Sequence, residues 1–252
     1  MLQNERQEQI IALLEDKKTV RIGELSKILN VTRETVRRDL YEMEKQGLLK
    51  KVHGGAMLNK TVDEPHISQR QVSNITEKER IAKKAAEYVE DGDAVFIDLG
   101  STTLMLAKCL RNKNNITVIT NSLPVAVEMS EHPHAKVILC GGELRSGELS
   151  LSGPVALKSL EDFYIDKAFI GVGGISPDNG FTDYHVGDAE VRRLMMRRAK
   201  ETFALADYSK FRITAFMKVC SLNEVDMVIT DSTISEQEIR QYHDLGLQII
   251  TT

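Results

Sequence analysis

Long apolar runs, paired cysteines and aromatic side chains are scarce in this sequence. No run of about 18 apolar residues occurs, and the opening MLQNERQEQ lacks the charged-then-apolar layout of a signal peptide. We therefore expect a cytoplasmic protein with neither a membrane span nor a secretion signal. The cysteines, Cys109, Cys140 and Cys220, lie far apart with no Cys-x-x-Cys spacing, so we expect no disulfide framework and no metal site.

A net positive charge is also absent, but the charged residues are unevenly distributed along the chain. The formal net charge is −4, yet residues 1–60 carry twelve Lys and Arg against nine Asp and Glu, whereas the rest carries 21 against 28. A mildly basic head on an acidic body is the asymmetry expected if only the head approaches a polyanion. The 252 residues, 42% of them hydrophobic, suffice for a small domain and a medium one.

The apolar residues of the first 50 positions recur at helical spacing and predict three short helices. They are Ile10, Leu13 and Leu14, then Ile22, Leu25, Ile28 and Leu29, then Val36, Leu40 and Met43. From Asn59 to Ile75 the chain has Pro65, few apolar residues and no period, which is typical of a linker. We therefore predict a first domain at residues 1–57, a linker at 58–75 and a second domain at 76–252.

Beyond the linker, apolar strand-like runs alternate with amphipathic segments. The predicted strands are Ala94 to Ile97, Ile116 to Ile119, Val137 to Cys140, Lys167 to Val172, Thr202 to Ala206, Val225 to Thr230 and Leu247 to Thr251. This rhythm predicts an α/β domain with a mostly parallel, helix-covered sheet of Rossmann-like type.

The segment that opens at Thr32 has the features of a DNA recognition helix. Val20 to Leu29 supplies a first helix, Asn30 and Val31 a tight turn, and the Thr32 hydroxyl an N-cap. With Val36 and Leu40 facing the core, the polar residues between them cover the outer surface. A forked guanidinium on that surface can grip a guanine edge in the major groove.

A short two-stranded wing is predicted after Gly47, where the cationic run from Leu48 to Gly55 can contact phosphates. The predicted DNA-binding residues are Arg21, Thr32, Arg33, Thr35, Arg37, Arg38, Lys50, Lys51 and His53. The alternative is a solvated charged helix in which Arg37 and Arg38 pair with Glu34 or Glu42. The sequence does not decide which arginine contacts bases.

These residues resemble a known signature. Arg6, Ile10 and Leu14, followed after a spacer by Thr32, Thr35, Val36, Arg37, Arg38, Asp39 and Leu40, resemble the helix-turn-helix of the DeoR family of bacterial regulators. The resemblance covers about the first 57 residues. It implies a winged helix-turn-helix that contacts DNA from about Val20 to Asp39 and through the wing.

A candidate anion site follows the first strand of the second domain. The strand ends in Asp98, and Gly100, Ser101, Thr102 and Thr103 lead at once into a helix. Free amides, hydroxyls and the positive end of the helix dipole converge there, so a phosphate can bind without nearby lysines. The alternative is that Ser101 and Thr102 simply cap the helix.

Polar residues and glycines also follow other strands, at the edge where ligands of open parallel sheets bind. The complete set of predicted effector-binding residues is Asp98, Gly100, Ser101, Thr102, Thr103, Asn121, Ser122, Gly141, Gly142, Glu143, Gly173 and Lys210. Any single glycine pair among them is explained equally well as a turn.

The second half also resembles the DeoR family, whose sensor domain is similar to the fold of ribose 5-phosphate isomerase. The resemblance spans about residues 76–252 and is carried by Asp98 to Thr103, Thr120 to Ser122, Gly141 to Glu143, Gly180 to Thr182, and Ala206, Asp207, Ser209, Lys210 and Phe211. It implies a phosphosugar effector, with Ser101, Thr102 and Thr103 holding phosphate and Asp98, Asn121 and Lys210 touching the sugar.

One departure separates the regulator from an enzyme of that fold. Relatives often have an aspartate in a Gly-x-Asp-Gly loop after the fourth strand, where the isomerases place acid-base carboxylates; here Val172, Gly173 and Gly174 supply none. Asp98, Glu143 and Asp183 remain as substitutes, each more simply a hydroxyl ligand or loop residue. Because the chain combines a predicted DNA-binding helix with a predicted anion site, we expect a non-enzymatic, cofactor-free repressor of a carbohydrate-utilisation operon. Its expected partners are operator DNA, a sugar phosphate and further copies of itself.

The alternatives are an activator and a sugar-phosphate isomerase with an appended helical head. We set aside NAD binding at Gly171, Gly173 and Gly174, because Ser176 stands where the third glycine is required. Arg192, Arg193, Arg197 and Arg198 are interpreted as a solvated or interface face of their helix.

Overall fold

The computed structural model describes residues 3–17, 19–45, 49–52, 54–57, 64–65 and 67–252. The chain divides into two compact units, Met1–Glu64 and Pro65–Thr252. In these ranges no helix combines the length and apolar character that crossing a membrane requires.

The first unit is a winged helix-turn-helix. Its helices are α1 (Gln3–Lys17), α2 (Ile22–Ile28) and α3 (Arg33–Lys45), and its strands are β1 (Thr19–Arg21), β2 (Lys50–Val52) and β3 (Gly55–Met57). The strands form an antiparallel sheet in the order β1-β3-β2. The three predicted helices are present, but Val20 and Arg21 lie on a strand because β1 pairs with β3, so the wing has a third strand.

An apolar cluster holds this unit together, and one buried ion pair reinforces it. Leu14 of α1 and Val36 and Leu40 of α3 are fully buried in the cluster. Beside them, Arg6 donates two hydrogen bonds, of 2.8 and 3.0 Å, to the carboxylate of Asp39. Asp39 is buried, so this fork fixes α1 against the inner side of α3.

The second unit is an α/β domain with two small accessory sheets. Its helices are α4 (Ile67–Val72), α5 (Ile75–Glu87), α6 (Ser101–Cys109), α7 (Leu123–Ser130), α8 (Pro154–Leu160), α9 (Val186–Arg198) and α10 (Glu236–Asp244), with 3-10 turns at Tyr208–Lys210 and Leu222–Glu224. Its strands are β4 (Ala94–Ile97), β5 (Ile116–Thr120), β6 (Ala135–Leu139), β7 (Glu143–Arg145), β8 (Ser150–Ser152), β9 (Ile165–Gly171), β10 (Gly174–Ser176), β11 (Gly180–Asp183), β12 (Ala199–Leu205), β13 (Met217–Cys220), β14 (Met227–Thr230) and β15 (Ile249–Thr251).

The main sheet is parallel throughout, in the order β15-β14-β12-β9-β4-β5-β6. Each of its strands overlaps one of the seven predicted runs, and the α/β fold class is confirmed. The chain winds outward from β4 to β6 and then returns to β9 on the other side of β4. The crevice at the carboxyl ends of β4 and β9 is therefore the switch point at which such sheets bind ligands.

Apolar side chains alternate along the central strands and cover both faces of the sheet. Val95 and Ile97 pack in one cluster with helices α5, α6 and α7, and Phe96 packs in the other with α8, α9 and α10. This alternation buries both faces, as a helix-covered parallel sheet requires.

Two features of the second unit differ from the sequence-based expectation. Helix α4 lies within the linker predicted at residues 58–75, and it belongs to the second unit. Residues 58–63 of the predicted linker lie outside the described residues. The hairpin β7-β8 and the sheet β10-β11-β13 were also not predicted. These elements are three or four residues long, too short to show a hydrophobic period.

Candidate functional site

Helix α3 begins as the sequence predicts. The Thr32 hydroxyl accepts a hydrogen bond from the amide of Thr35 at 3.1 Å and contacts the Thr35 hydroxyl at 2.9 Å. This cap satisfies one of the free amides of the first turn. Because Val36 and Leu40 are fully buried, the opposite face of α3 points outward.

The outward face carries the predicted arginines. Arg33, Arg37 and Arg38 are all exposed. Arg37 pairs with Glu34 at 3.0 Å and Arg38 with Glu42 at 3.5 Å, as the alternative interpretation expected. Exposed ion pairs of this kind stabilise a protein by only about 0 to 1 kcal/mol. Breaking such a pair so that the arginine can contact a phosphate or a guanine therefore requires little free energy.

The wing adds cations beside this helix. Lys50 and Lys51 are exposed on β2, where the Lys51 amide donates to Glu44 at 2.7 Å and the Lys51 ammonium lies 5.2 Å from the Tyr41 ring centroid. Arg21 is exposed at the end of β1. His53 lies outside the described residues. The remaining predicted DNA-binding side chains therefore share one unit and are accessible on it.

The loop between β4 and α6 has the geometry expected of an anion site. Gly100 is the N-cap residue with a φ of +142°, a conformation that favours glycine, and Leu104 donates to its carbonyl at 3.0 Å to open the helix. The Thr103 hydroxyl donates to the same carbonyl at 3.0 Å. Ser101 and Thr102, the first two residues of α6 after the Gly100 cap, are almost fully buried.

Beside this loop lies Asn121, a buried polar side chain. It follows β5, whose Thr120 pairs with Ile97 of β4, so Asn121 and Asp98 leave neighbouring strands side by side. Asn121 is 0% exposed, and neither its amide nitrogen nor its amide oxygen has a hydrogen-bond partner among the described residues. Buried amides are nearly always paired, so this one is available to a ligand. Ser122 instead caps α7, accepting from the amide of Val125 at 3.4 Å.

Asp98 has a different environment from the one predicted for it. It is fully buried, and its carboxylate accepts from the amides of Leu99 at 2.8 Å and Gly171 at 3.2 Å and from the Arg192 guanidinium. Arg192 also donates to Asp183. Asp98 therefore holds together the residues that line the crevice at the switch point. Because its carboxylate oxygens already accept these hydrogen bonds, few acceptor positions remain for a sugar hydroxyl.

The shifts in pKa of these buried groups follow from burial and pairing. Burial raises the pKa of Asp98 to about 6 against the opposing effect of Arg192. Burial also acts to raise the pKa of Asp183, but Arg192 and the amides of His185 and Tyr184 together lower it. Two carboxylates thus share a single guanidinium, and Asp98 is the one whose charge is disfavoured.

The glycines predicted as effector contacts have structural reasons for being glycine. A Cβ on Gly142, which has a φ of +131°, would lie 2.5 Å from the Ser152 carbonyl oxygen, and one on Gly173 would lie 2.9 Å from that of Thr182. Gly141 and Glu143 are exposed at the start of the β7-β8 hairpin. This hairpin closes over the end of β5, because Leu151 donates to the Asn121 carbonyl at 2.8 Å.

Lys210 lies at the same edge, two strands away from β4. It ends the 3-10 turn after β12, and its amide donates to the carbonyl of Asp207 at 3.0 Å. Strands two apart in a sheet are separated by roughly 10 Å. Lys210 and the loop at Ser101 therefore follow two strands of the same sheet, β12 and β4, that are separated by β9 alone.

Sequence reasoning missed Arg192, which was interpreted as part of a solvated or interface face. The structure corrects this: Arg192 is 2% exposed and lies between Asp98 and Asp183. Its spacing was the available signal, since Arg192 lies four residues after Asp188 and three before Met195, both buried on the inner side of α9. A second missed residue is Lys78 of α5, which is 3% exposed.

Two family descriptions together match most of the chain. The DeoR-like helix-turn-helix domain matches residues 6–62, and the DeoR C-terminal sensor domain matches residues 73–232. The chain belongs to the DeoR family. The resemblance seen in the two sequence signatures is thereby confirmed for both halves.

Relatives of similar length support the assignment to this DeoR family. An uncharacterised HTH-type transcriptional regulator, YulB of Bacillus subtilis, is 36% identical over 250 residues, 99% of this chain and 96% of that protein. The glycerol-3-phosphate regulon repressor of Escherichia coli is 32% identical over 251 residues, 99% of this chain and all of that protein. Apart from these relatives, and without bearing on the family, a solved structure of ribose 5-phosphate isomerase A from Methanocaldococcus jannaschii matches 55% of each chain with a TM-score of 0.41 and 19% identity.

As a DeoR-family protein, the chain is a transcriptional regulator with a DNA-binding unit and a sensor unit, which confirms that interpretation over the isomerase alternative. No group of three potential metal-binding side chains occurs among the described residues.

Proposed function

We propose that this chain is a cytoplasmic repressor that leaves its operator when a phosphorylated sugar binds the second unit. The observation that carries the effector site is the buried, unpartnered Asn121 amide beside the loop of Ser101 and Thr102. The loop offers amides, hydroxyls and a helix dipole to a phosphate, and Asn121 offers a donor and an acceptor to a sugar hydroxyl.

In this proposal residues 1–57 bind the operator and residues 76–252 bind the effector. The operator is gripped by Arg21, Thr32, Arg33, Thr35, Arg37 and Arg38, with Lys50, Lys51 and His53 on phosphates. Phosphate is held by Gly100, Ser101, Thr102 and Thr103, and the sugar lies between Asn121 and Lys210. Asp98, Ser122, Gly141, Gly142, Glu143 and Gly173 shape the walls of the site.

The direction of regulation follows the glycerol-3-phosphate regulon repressor of Escherichia coli, which matches the chain along its whole length. A single winged helix contacts few base pairs, so we propose at least a dimer on DNA, with half-sites separated by whole turns of about 10 base pairs. A coupling free energy of about 1 to 3 kcal/mol between effector and operator suffices for a switch.

A thermal-shift screen of the purified chain against triose, pentose and hexose phosphates tests the effector. A ligand at 100 times its Kd adds about 2.7 kcal/mol to stability. The stabilising compound should then lower operator affinity in fluorescence anisotropy, and Thr102→Val should lose that response while retaining operator binding. Normal release of DNA by Thr102→Val would place the phosphate elsewhere, and a strictly monomeric complex on DNA would contradict the proposed assembly.

A further inference from the structure

Helices α8 and α9 form an outer face of the second unit, called here the α8-α9 face. Both helices pack in the same apolar cluster, on one side of the main sheet. Each leads into a strand of that parallel sheet, α8 into β9 and α9 into β12, so the two helices run side by side in the same direction. Between them lies an open groove of about 340 Å³, lined by Leu157, Glu161, Glu190, Arg193, Leu194 and Arg197.

A stripe of α9 residues borders this groove. Val186, Glu190, Leu194 and Arg197 recur at every third or fourth position, so they lie on one side of the helix. Val186 is 41% exposed, Glu190 and Arg197 are exposed, and Leu194 is half-buried. On α8, Val155 is 63% exposed. The stripe therefore has an apolar centre between one acidic and one basic residue, and further apolar area lies at the start of both helices.

The two charged residues of the stripe have no partner in their own chain. Within the ranges that the structure describes, neither the Glu190 nor the Arg197 side chain forms an ion pair or a hydrogen bond. The neighbouring arginines are occupied, because Arg193 donates to two backbone carbonyls and Arg198 donates to the Tyr164 hydroxyl at 2.9 Å. Glu190 and Arg197 are thus available to charged groups of a second molecule.

The order of charges along the stripe is complementary to itself in the opposite direction. When α9 of a second copy lies antiparallel to the first, with a two-fold axis between Arg193 and Leu194, Glu190 of each copy lies opposite Arg197 of the other. A two-fold dimer uses the same surface on both subunits, so this contact occurs twice, and the two Leu194 side chains meet near the axis. A parallel arrangement would instead place like charges opposite each other. The charge order therefore selects both the partner and its direction.

We propose that the α8-α9 face is the surface through which two copies of this chain pair in solution, with the two α9 helices antiparallel. The inference rests on the proposed function, since it names the interface of the dimer proposed on DNA. The apolar side chains Val155, Leu157, Val186 and Leu194 supply the buried area at the centre of the contact. The pairs between Glu190 and Arg197 fix the register, because exposed ion pairs add little affinity while like charges placed opposite each other are penalised.

Charge reversal tests this register by sedimentation equilibrium of the full chain. Glu190→Arg places an arginine opposite Arg197, and Arg197→Glu places a glutamate opposite Glu190, twice in each dimer. Each single variant should raise the Kd of the dimer about 10- to 100-fold, because two attractive contacts become repulsive. The double variant, Glu190→Arg with Arg197→Glu, restores opposite charges at both contacts and should recover most of the wild-type affinity.

Arg240→Glu is the matched control. Arg240 is an exposed arginine of α10, a helix on the same side of the sheet but outside the α8-α9 face. Its reversal should leave the Kd of the dimer unchanged. The substituted side chains are all exposed, so the variants should keep the thermal stability of the wild type.

The outcomes separate this inference from the proposed function. If the wild type dimerises and both single variants keep its Kd, or if the double variant dimerises no more tightly than the single ones, the α8-α9 face is not the interface and the proposed dimer stands. A wild type that stays monomeric in solution also overturns the inference and leaves the face to a partner of another kind. Only a monomeric complex on DNA would overturn the proposed assembly as well.

Discussion

Replacing Asn121 by leucine should stabilise the protein and at the same time abolish its response to effector. Both polar atoms of the Asn121 side chain are buried without a partner. A buried polar group left unpaired costs about 1 to 3 kcal/mol, and leucine fills a similar volume without that penalty. The free energy of unfolding should therefore rise by about 1 to 3 kcal/mol.

The effect is measured by thermal unfolding with and without the stabilising sugar phosphate. For a unit of this size each kcal/mol raises Tm by roughly 2 to 4 °C. Without effector, Asn121→Leu should unfold at a higher temperature than the wild type. At 100 times the wild-type Kd, the effector should raise the wild-type Tm by roughly 5 to 10 °C, corresponding to about 2.7 kcal/mol, and leave that of Asn121→Leu unchanged.

Thr230 provides a matched control. Its hydroxyl is also buried with no hydrogen-bond partner in the part of the chain that the structure describes, but Thr230 ends β14, four strands away from β5 in the sheet. Thr230→Val should therefore be stabilised by about 1 kcal/mol and keep the full effector response. The reasoning is refuted if Asn121→Leu is less stable than the wild type in the absence of effector, or if its Tm still rises with effector as the wild type's does.

Further outcomes are expected from the DNA-binding unit and from the buried lysine. Arg37→Ala should weaken operator binding, and Lys51→Ala should lower the slope of log affinity against log salt by about one unit; unchanged binding in both anisotropy titrations would mean that the DNA face is misplaced. Arg6→Met should lower the free energy of unfolding of the first unit by about 3 kcal/mol, measured by urea denaturation, because it leaves the Asp39 carboxylate buried without its arginine. A loss below about 1 kcal/mol would show that this ion pair contributes little to stability. Burial lowers the pKa of Lys78 to about 8, against 10.5 in the unfolded chain, so the unfolded chain binds more protons between these two pH values and stability should rise with pH there. Relative to Lys78→Met, the wild type should gain about 2 kcal/mol in free energy of unfolding between pH 8 and 10. Parallel curves of stability against pH for the two proteins would contradict the lowered pKa of Lys78.

The sequence alone determined the features that depend on local patterns. The recognition helix could be located because the cap at Thr32 and the inward residues Val36 and Leu40 are set by helical periodicity. The parallel sheet was predictable because strands such as Ala94 to Ile97 are continuous apolar runs. The loop of Ser101 and Thr102 was identified because a strand, a short polar loop and a helix are contiguous in the chain.

Only the tertiary structure decided which distant side chains meet. Asp98 and Arg192 are separated by 94 positions, and Arg70 and Glu148 by 78, so no local period relates them. The same holds for Asn121, whose lack of a partner depends on every neighbour that surrounds it. Burial and charge pairing are properties of the assembled sheet and helices. For that reason the sequence could not show which of these polar side chains are paired and which are not.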